Sequence, residues 1–383
     1  MTEVYLDNAA TTPLSSGVIA TMTHEMQADF GNASATYALG RQARNTIDVA
    51  RSQVANLIHA DAGELIFTSG GSESNNTVIF GVARSRQAVG RHIVTTAIEH
   101  PSVLEPMRQL EREGYQVTYL PVDQTGHISL TDLKAALTPD TILVSAMAVN
   151  NEVGSINPLR EIGALVHANS QAYFHVDAVQ GIGNLDLDVN AMEIDFLSSS
   201  AHKINGPKFL GFLYANSKLK LPRFVFGGEQ EVKRRAGTEN VPGIAGFATA
   251  VRGLQMTDRA TEQARFAEFQ KIILTELDHA QVSYEINGGI GPAMSHHVLN
   301  LHICGVATYV LQTKLDLDGY AISGGSACTA GSLTPSHVLT ALFGADSPRV
   351  AESIRISFGR LTTSAEVTAF AKELAKVASA QQA

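Results

Sequence analysis

Apolar, β-branched runs alternate with helix-like stretches along most of this chain, and that alternation restricts its fold more than any other feature. The runs are Glu64–Thr68, His92–Ile98, Thr141–Val149, Tyr173–Val176, Asp195–Ser199 and Phe209–Tyr214. Between and around them lie Gln42–Ile58, Ser102–Glu113, Thr131–Leu137 and Leu159–Ala168, which carry helical periodicity. Runs this short and this apolar predict strands covered on both faces. Strand and helix in regular alternation predict an α/β fold with a mainly parallel sheet flanked by helices. In such folds, ligands bind beyond the carboxyl ends of the strands. After about Gly253 the pattern changes to a long polar helix, Arg259–His279, and then a mixed region. We therefore expect a large domain over residues 14–256 and a smaller α+β domain built from 1–13 and 257–383.

Charge and cysteine content narrow the function. A net charge of −9 over 383 residues, with 17% charged residues, argues against a nucleic-acid surface. The one cationic run, Lys233-Arg234-Arg235, is too short to outweigh that balance. The segment from Met1 to Leu6 lacks a basic stretch followed by an apolar one, and no window approaches the ~18 apolar residues of a membrane span. A cytoplasmic protein that does not act at a membrane is expected. Two cysteines, Cys304 and Cys328, are too few for a disulfide framework or a cysteine-based zinc site, and no metal site is expected.

The informative polar residues fall at strand ends. In Phe67-Thr68-Ser69-Gly70-Gly71-Ser72-Glu73-Ser74-Asn75 an apolar strand ends in a small-residue loop that opens a helix. Such a loop presents backbone N–H groups at the positive end of a helix and suits a phosphate, although glycines there are as readily conformational. Neither a Walker pattern nor G-x-G-x-x-G is present. Next, Tyr173-Phe174-His175-Val176-Asp177-Ala178-Val179-Gln180 delivers one carboxylate at a strand exit and an amide three residues on. Asp177 by itself reads as a helix N-cap; a protonated heterocyclic nitrogen is another partner that would satisfy it. Third, Ser198-Ser199-Ser200-Ala201-His202-Lys203 places a lysine at the edge of a buried strand beside hydroxyls and an imidazole. A lysine in that setting is suited to a Schiff base, with its neighbours on a phosphate.

Taken together, these motifs resemble the class V aminotransferases of the fold-type I pyridoxal-phosphate enzymes, and within them the NifS/IscS-like cysteine desulfurases. The resemblance runs nearly end to end. It includes Tyr5-Leu6-Asp7-Asn8-Ala9-Ala10-Thr11-Thr12-Pro13, Glu99-His100, Asn150-Asn151-Glu152-Val153-Gly154, Arg235-Ala236-Gly237-Thr238-Glu239-Asn240, Ser326-Ala327-Cys328-Thr329 and Ser353-Ile354-Arg355-Ile356-Ser357-Phe358-Gly359-Arg360.

Residue by residue, the resemblance implies that Lys203 holds pyridoxal 5'-phosphate and later serves as a base, and that Asp177 pairs with the ring nitrogen. His100 stacks on the ring and takes part in proton transfer. Gln180 donates to the ring hydroxyl, and Asn151 contacts cofactor and substrate. Gly71, Ser72, Ser200 and His202 match the phosphate cup, joined by Thr238 from the neighbouring subunit of a homodimer. Arg355 matches the arginine that grips the substrate carboxylate, for which a two-pronged guanidinium is suited.

Cys328 lies in a run poor in bulky side chains and matches the nucleophile that takes sulfur from L-cysteine as a persulfide, leaving alanine. Cys304, in the apolar run Leu301-His302-Ile303-Cys304, reads as a core residue. The implied acceptor is an iron–sulfur scaffold or another sulfur-trafficking protein. In IscS-like members a tail beyond the Arg355 motif docks the scaffold. Here the chain reaches Ala383, about two turns into a final helix after Thr362-Thr363, which puts docking by that route in doubt. Selenocysteine lyase and aminotransferase chemistry are the enzymatic alternatives, the latter having no need of Cys328. An inactive scaffold partner on the same fold is the non-enzymatic one, and it predicts the loss of at least one of Lys203, Asp177, His100, Cys328 or Arg355; all five are present.

Overall fold

A computed structural model of the chain describes residues 3–28, 30–324 and 335–382. A short strand, β1 (Val4–Tyr5), precedes the strands of the main sheet: β2 (Leu65–Thr68), β3 (His92–Thr96), β4 (Gln116–Leu120), β5 (Thr141–Met147), β6 (Tyr173–Asp177), β7 (Phe196–Ser200) and β8 (Gly211–Ala215). They form a seven-stranded sheet in the order β2-β8-β7-β6-β5-β3-β4. All pairs are parallel except those of β8, which runs antiparallel to both β2 and β7. Because β8 alone is reversed, the carboxyl ends of β2, β3, β5, β6 and β7 lie along one edge.

Period-two alternation places these strands between two apolar layers. Ile66, Phe196 and Leu213 face one cluster, with Val78, Ile79, Val103 and Met107; Phe67, Leu197 and Phe212 face the other, with Ile47, Val54, Ile244 and Phe247. Phe174 and Phe196 are fully buried, which contributes about 1.5–3 kcal/mol each. The run expected from Phe209 starts two residues later. Phe209 has a φ of 57° and is 82% exposed, so it belongs to the turn that leads into β8.

A second set of strands has its own core. β9 (Tyr284–Asn287), β10 (Val298–Ile303) and β12 (Ser353–Ser357) form an antiparallel sheet, while β1 pairs with β11 (Tyr320–Ala321). Leu299, Leu301, Ile354 and Ile356 pack there against Phe266, Phe269, Phe370 and Leu374 of the helices Arg259–His279 and Ser364–Gln382. That last helix has 19 residues, about five turns at 3.6 residues each, where two were expected. Among the described residues no helix is long and apolar enough to cross a membrane.

Candidate active site

At the end of β7 the chain turns sharply through a 3-10 turn, Ala201–Lys203, with the N–H groups of Ile204 and Gly206 both donating to the Ala201 carbonyl at 3.0 Å. Lys203 Nζ donates to the carbonyls of Ala9 and Ala10, at 2.6 Å each. These acceptors come from the segment after β1, which Thr12 ties to the same turn by donating its hydroxyl to the His202 carbonyl.

Asp177 closes β6 and is 5% exposed. Its Oδ1 accepts from the Val179 N–H at 3.0 Å and its Oδ2 from Asn75 Nδ2 at 2.7 Å. A carboxylate has about four lone-pair positions, so these bonds leave acceptor capacity for a cationic N–H. Just beneath, His175 bridges Ser145 and Ser198, and burial holds its pKa down at about 4. No imidazolium therefore competes for Asp177 at neutral pH. Gln180 is clamped by donating to the Ala9 carbonyl and by bonding its Oε1 to His297, a buried residue that the sequence reading did not single out.

The glycine loop behaves as a phosphate site requires. Gly70 has φ 143° and ψ −172°, a region open essentially to glycine alone. A Cβ on Gly71 would stand 2.6 Å from Val179 Cγ2, so this approach needs glycine. The helix Gly71–Ser85 begins with no side-chain cap, leaving first-turn N–H groups to whatever occupies the cavity. Glu73 is turned back toward Ser69 and Arg235; burial pushes its carboxyl up, but those hydrogen bonds outweigh it and hold it below the usual range. His202 sits opposite with a pKa of about 4, through burial first and then the charges of Lys203 and Lys208. It is a neutral ring there, not a cation.

Arg355 on β12 is 1% exposed. Its Nη1 donates to the Asn151 carbonyl at 2.9 Å and its Nη2 pairs with Asp7 Oδ1 at 2.7 Å, while Nε has no partner among the described residues. Burial pushes the Asp7 carboxyl up, and Arg355 pulls it back. This counter-ion was missed in the sequence because 348 positions separate it from Arg355.

Gly71, Ser72, His100, Asn151, Asp177, Gln180, Ser200, His202, Lys203 and Arg355 line one cavity of about 230 Å³. It lies at the carboxyl edge of the sheet and takes in the residues that follow β3 and β5, where the strand order switches direction. Thr238 is not among them; it is exposed on a separate cavity with Ser69 and Arg235, on the outer side of the glycine loop. Cys328 lies outside the described residues. Cys304 corrects the expectation of a core position: it is half-buried just past β10, with Sγ 3.9 Å from His302 Nδ1. His302 there bridges Glu285 and Glu352, and Arg349 pairs with Glu285.

The cavity fits a flat, phosphate-bearing heterocycle such as pyridoxal 5'-phosphate. It combines an amine at Lys203, a carboxylate with spare acceptor capacity at Asp177, uncapped helix N–H groups at Gly71 and Ser72, and a His100 ring on its wall.

The aminotransferase class-V family model matches residues 4–370, and the chain belongs to that family. It is 48% identical over 98% of its length to a protein of Bacillus subtilis described as "Putative cysteine desulfurase IscS 1", covering 99% of that protein. It is also 41% identical over 94% of its length to "Cysteine desulfurase IscS" of Dictyoglomus turgidum, covering 91% of it. Among solved structures, a "NIFS-LIKE PROTEIN" superposes with a TM-score of 0.90 at 32% identity, covering 98% of this chain and 99% of that one. "SspA in complex with cysteine" gives a TM-score of 0.82 at 36% identity, over 94% of this chain and all of that one.

Proposed function

We propose that the protein is a pyridoxal-phosphate-dependent cysteine desulfurase that converts L-cysteine to L-alanine and keeps the sulfur as a persulfide on Cys328. The observation that carries this reading is the meeting on one cavity of Lys203 after β7, Asp177 at the end of β6 and Arg355 on β12. The relatives named as cysteine desulfurases support cysteine as the substrate.

When bound, the cofactor supplies an electron sink for negative charge at the substrate α-carbon. Lys203 holds it, Asp177 keeps its ring nitrogen protonated, and Gly71, Ser72, Ser200 and His202 hold the phosphate. Gln180 and Asn151 orient the ring hydroxyl and the substrate. Arg355 receives the substrate carboxylate, which must share the guanidinium with Asp7. Lys203 Nζ would take the substrate α-proton, and the Ala9 and Ala10 carbonyls keep it within the cavity. The Cys328 thiolate then forms a sulfur–sulfur bond to the substrate as the carbon–sulfur bond breaks. The bonding pair stays with carbon, where protonation gives alanine, and the sulfur is oxidised to the persulfide level.

In the same reading the enzyme is a cytoplasmic homodimer in which the partner subunit's Thr238 completes the phosphate cup, and the persulfide passes to an iron–sulfur scaffold or another sulfur-accepting protein. The exposure of Thr238 beside the outer wall of the glycine loop supports the shared cup. The large unit spans 14–256 and the small unit 1–13 with 257–383; the separate core of the antiparallel sheet supports that division. The test is to incubate wild type and Cys328→Ser with cysteine and a thiol. Wild type is expected to release alanine and sulfide and to gain one sulfur on the Cys328 peptide, not on that of Cys304. Full activity in Cys328→Ser, or sulfur found on Cys304, overturns the mechanism.

A further inference from the structure

We propose that Asn75 and Ser102 form a hydrogen-bonded relay from Asp177 to His100 that fixes the His100 imidazole with its proton on Nε2, making Asn75 a positioning residue of this site. The reading of the cavity as a pyridoxal-phosphate centre gives the relay its use; its existence rests on geometry alone.

Hydrogen-bond directions follow from chemistry. Asn75 is fully buried on the helix Gly71–Ser85, and its Nδ2 lies 2.7 Å from Asp177 Oδ2 and 2.9 Å from Ser102 Oγ. An ionised carboxylate only accepts, so the amide nitrogen must face it; turning the amide over would set oxygen against oxygen. Both amide protons are then committed, one to Asp177 and one to Ser102. The Ser102 hydroxyl accepts from Asn75 and is left to donate, and His100 Nδ1 lies 2.8 Å away. The backbone N–H of Ser102 also donates to Nδ1, at 3.1 Å, and a backbone N–H cannot reverse its role. Two donors thus converge on Nδ1, which must be an acceptor.

The position of His100 favours the same state. It is the N-cap of the helix Pro101–Arg112, and the positive end of a helix disfavours an imidazolium. Facing it across the cavity are Asp177, reached through the relay, His202 and Lys203 after β7, and Arg355 on β12, with buried Glu99 beside it in the chain. The two cations among these also disfavour a second proton on the ring. His100 is therefore a neutral ring that donates from Nε2, and Asp177 and His100 share one hydrogen-bonded circuit although they belong to different strand ends.

The test is ¹⁵N NMR of the full chain labelled in histidine, with pyridoxal phosphate bound and again after its removal, His100 being assigned with His100→Gln. At neutral pH the His100 signals are expected to be pyridine-like at Nδ1 and pyrrole-like at Nε2 in both forms. Ser102→Ala removes a donor to Nδ1 and is expected to raise the midpoint of the His100 titration by roughly half to one pH unit, and Asn75→Ala, which leaves the Ser102 hydroxyl free to turn its proton away from Nδ1, is expected to raise it by less. A proton on Nδ1 at neutral pH, or variants with the wild-type midpoint, overturns the relay. Ser102→Ala, at a half-buried position, keeps the test decisive if Asn75→Ala does not fold. A protein that shows this tautomer but makes no alanine would refute the proposed function and leave the relay standing.

Discussion

Replacing Arg355 by lysine separates charge from geometry at the substrate end of the cavity. The guanidinium serves Asp7 Oδ1 with one nitrogen and the Asn151 carbonyl with another, and a substrate carboxylate must be met by the same planar group. An ammonium keeps the charge but is a single point on a flexible stem, so it cannot reach all three acceptors. Loss of one charge-assisted hydrogen bond costs about 1.5–3 kcal/mol. Falling on the substrate, that cost raises KM for cysteine about 10- to 100-fold. Folding stability should drop by only ~1–2 kcal/mol, because the buried positive charge and its partner are both retained. Steady-state alanine formation gives KM and kcat, and urea unfolding gives the stability. Asp7→Asn provides the contrast, since it removes the competing anion and leaves the fork: stability is expected to fall while KM stays level or decreases. An unchanged KM in Arg355→Lys, or a KM raised equally in Asp7→Asn, refutes the assignment of Arg355 as the carboxylate clamp.

Lys203→Ala should remove the visible absorption of the cofactor-loaded protein; attachment through Lys208 instead would show the assignment to be wrong. If the partner subunit's Thr238 completes the phosphate cup, dilution to monomer should release pyridoxal phosphate, and a folded monomer binding it undiminished would exclude a shared cup. His175 takes its proton at about 4 in the folded chain and at 6.5 when unfolded, so stability should decline by ~3 kcal/mol as pH falls from 6.5 to 4. Glu99, pushed up to about 8 by burial, acts oppositely: its contribution is full below 4.5 and is lost as pH rises toward 8. Urea melts across pH should show His175→Asn flattening the acid limb and Glu99→Gln the alkaline one; profiles unchanged in the variants would contradict both assignments.

Gly71 after β2, Asp177 at the tip of β6 and Lys203 after β7 were legible because each lies at or just past the end of a buried strand, whereas His100, Asn151 and Arg355 were reached only through the resemblance to the class V aminotransferases. Local pattern carries that information. What escaped the sequence was pairing at a distance. Asp7 meets Arg355, and Asn75 meets Asp177 102 positions on, only because separate elements converge. Nothing in the run Phe209–Tyr214 reveals that β8 is reversed, since period-two alternation reads the same in both directions. The final helix runs about five turns because its apolar positions Val367, Phe370, Ala371 and Leu374 are buried in the core of the second sheet.

The segment after β1 supplies both carbonyls that hold Lys203 Nζ and the counter-ion of Arg355, and it is anchored where Ser357 donates its N–H to the Leu6 carbonyl. During synthesis those first residues leave the ribosome long before their partners exist: at about 5–20 residues per second, Ser357 follows Leu6 by roughly 20–70 s. The strands that carry Asp177 and Lys203 are translated in that interval, so the sheet can assemble around a site that still lacks a wall. If the cavity holds pyridoxal phosphate as proposed, a ribosome-released fragment ending before β12 should fold its large sheet yet hold the cofactor weakly.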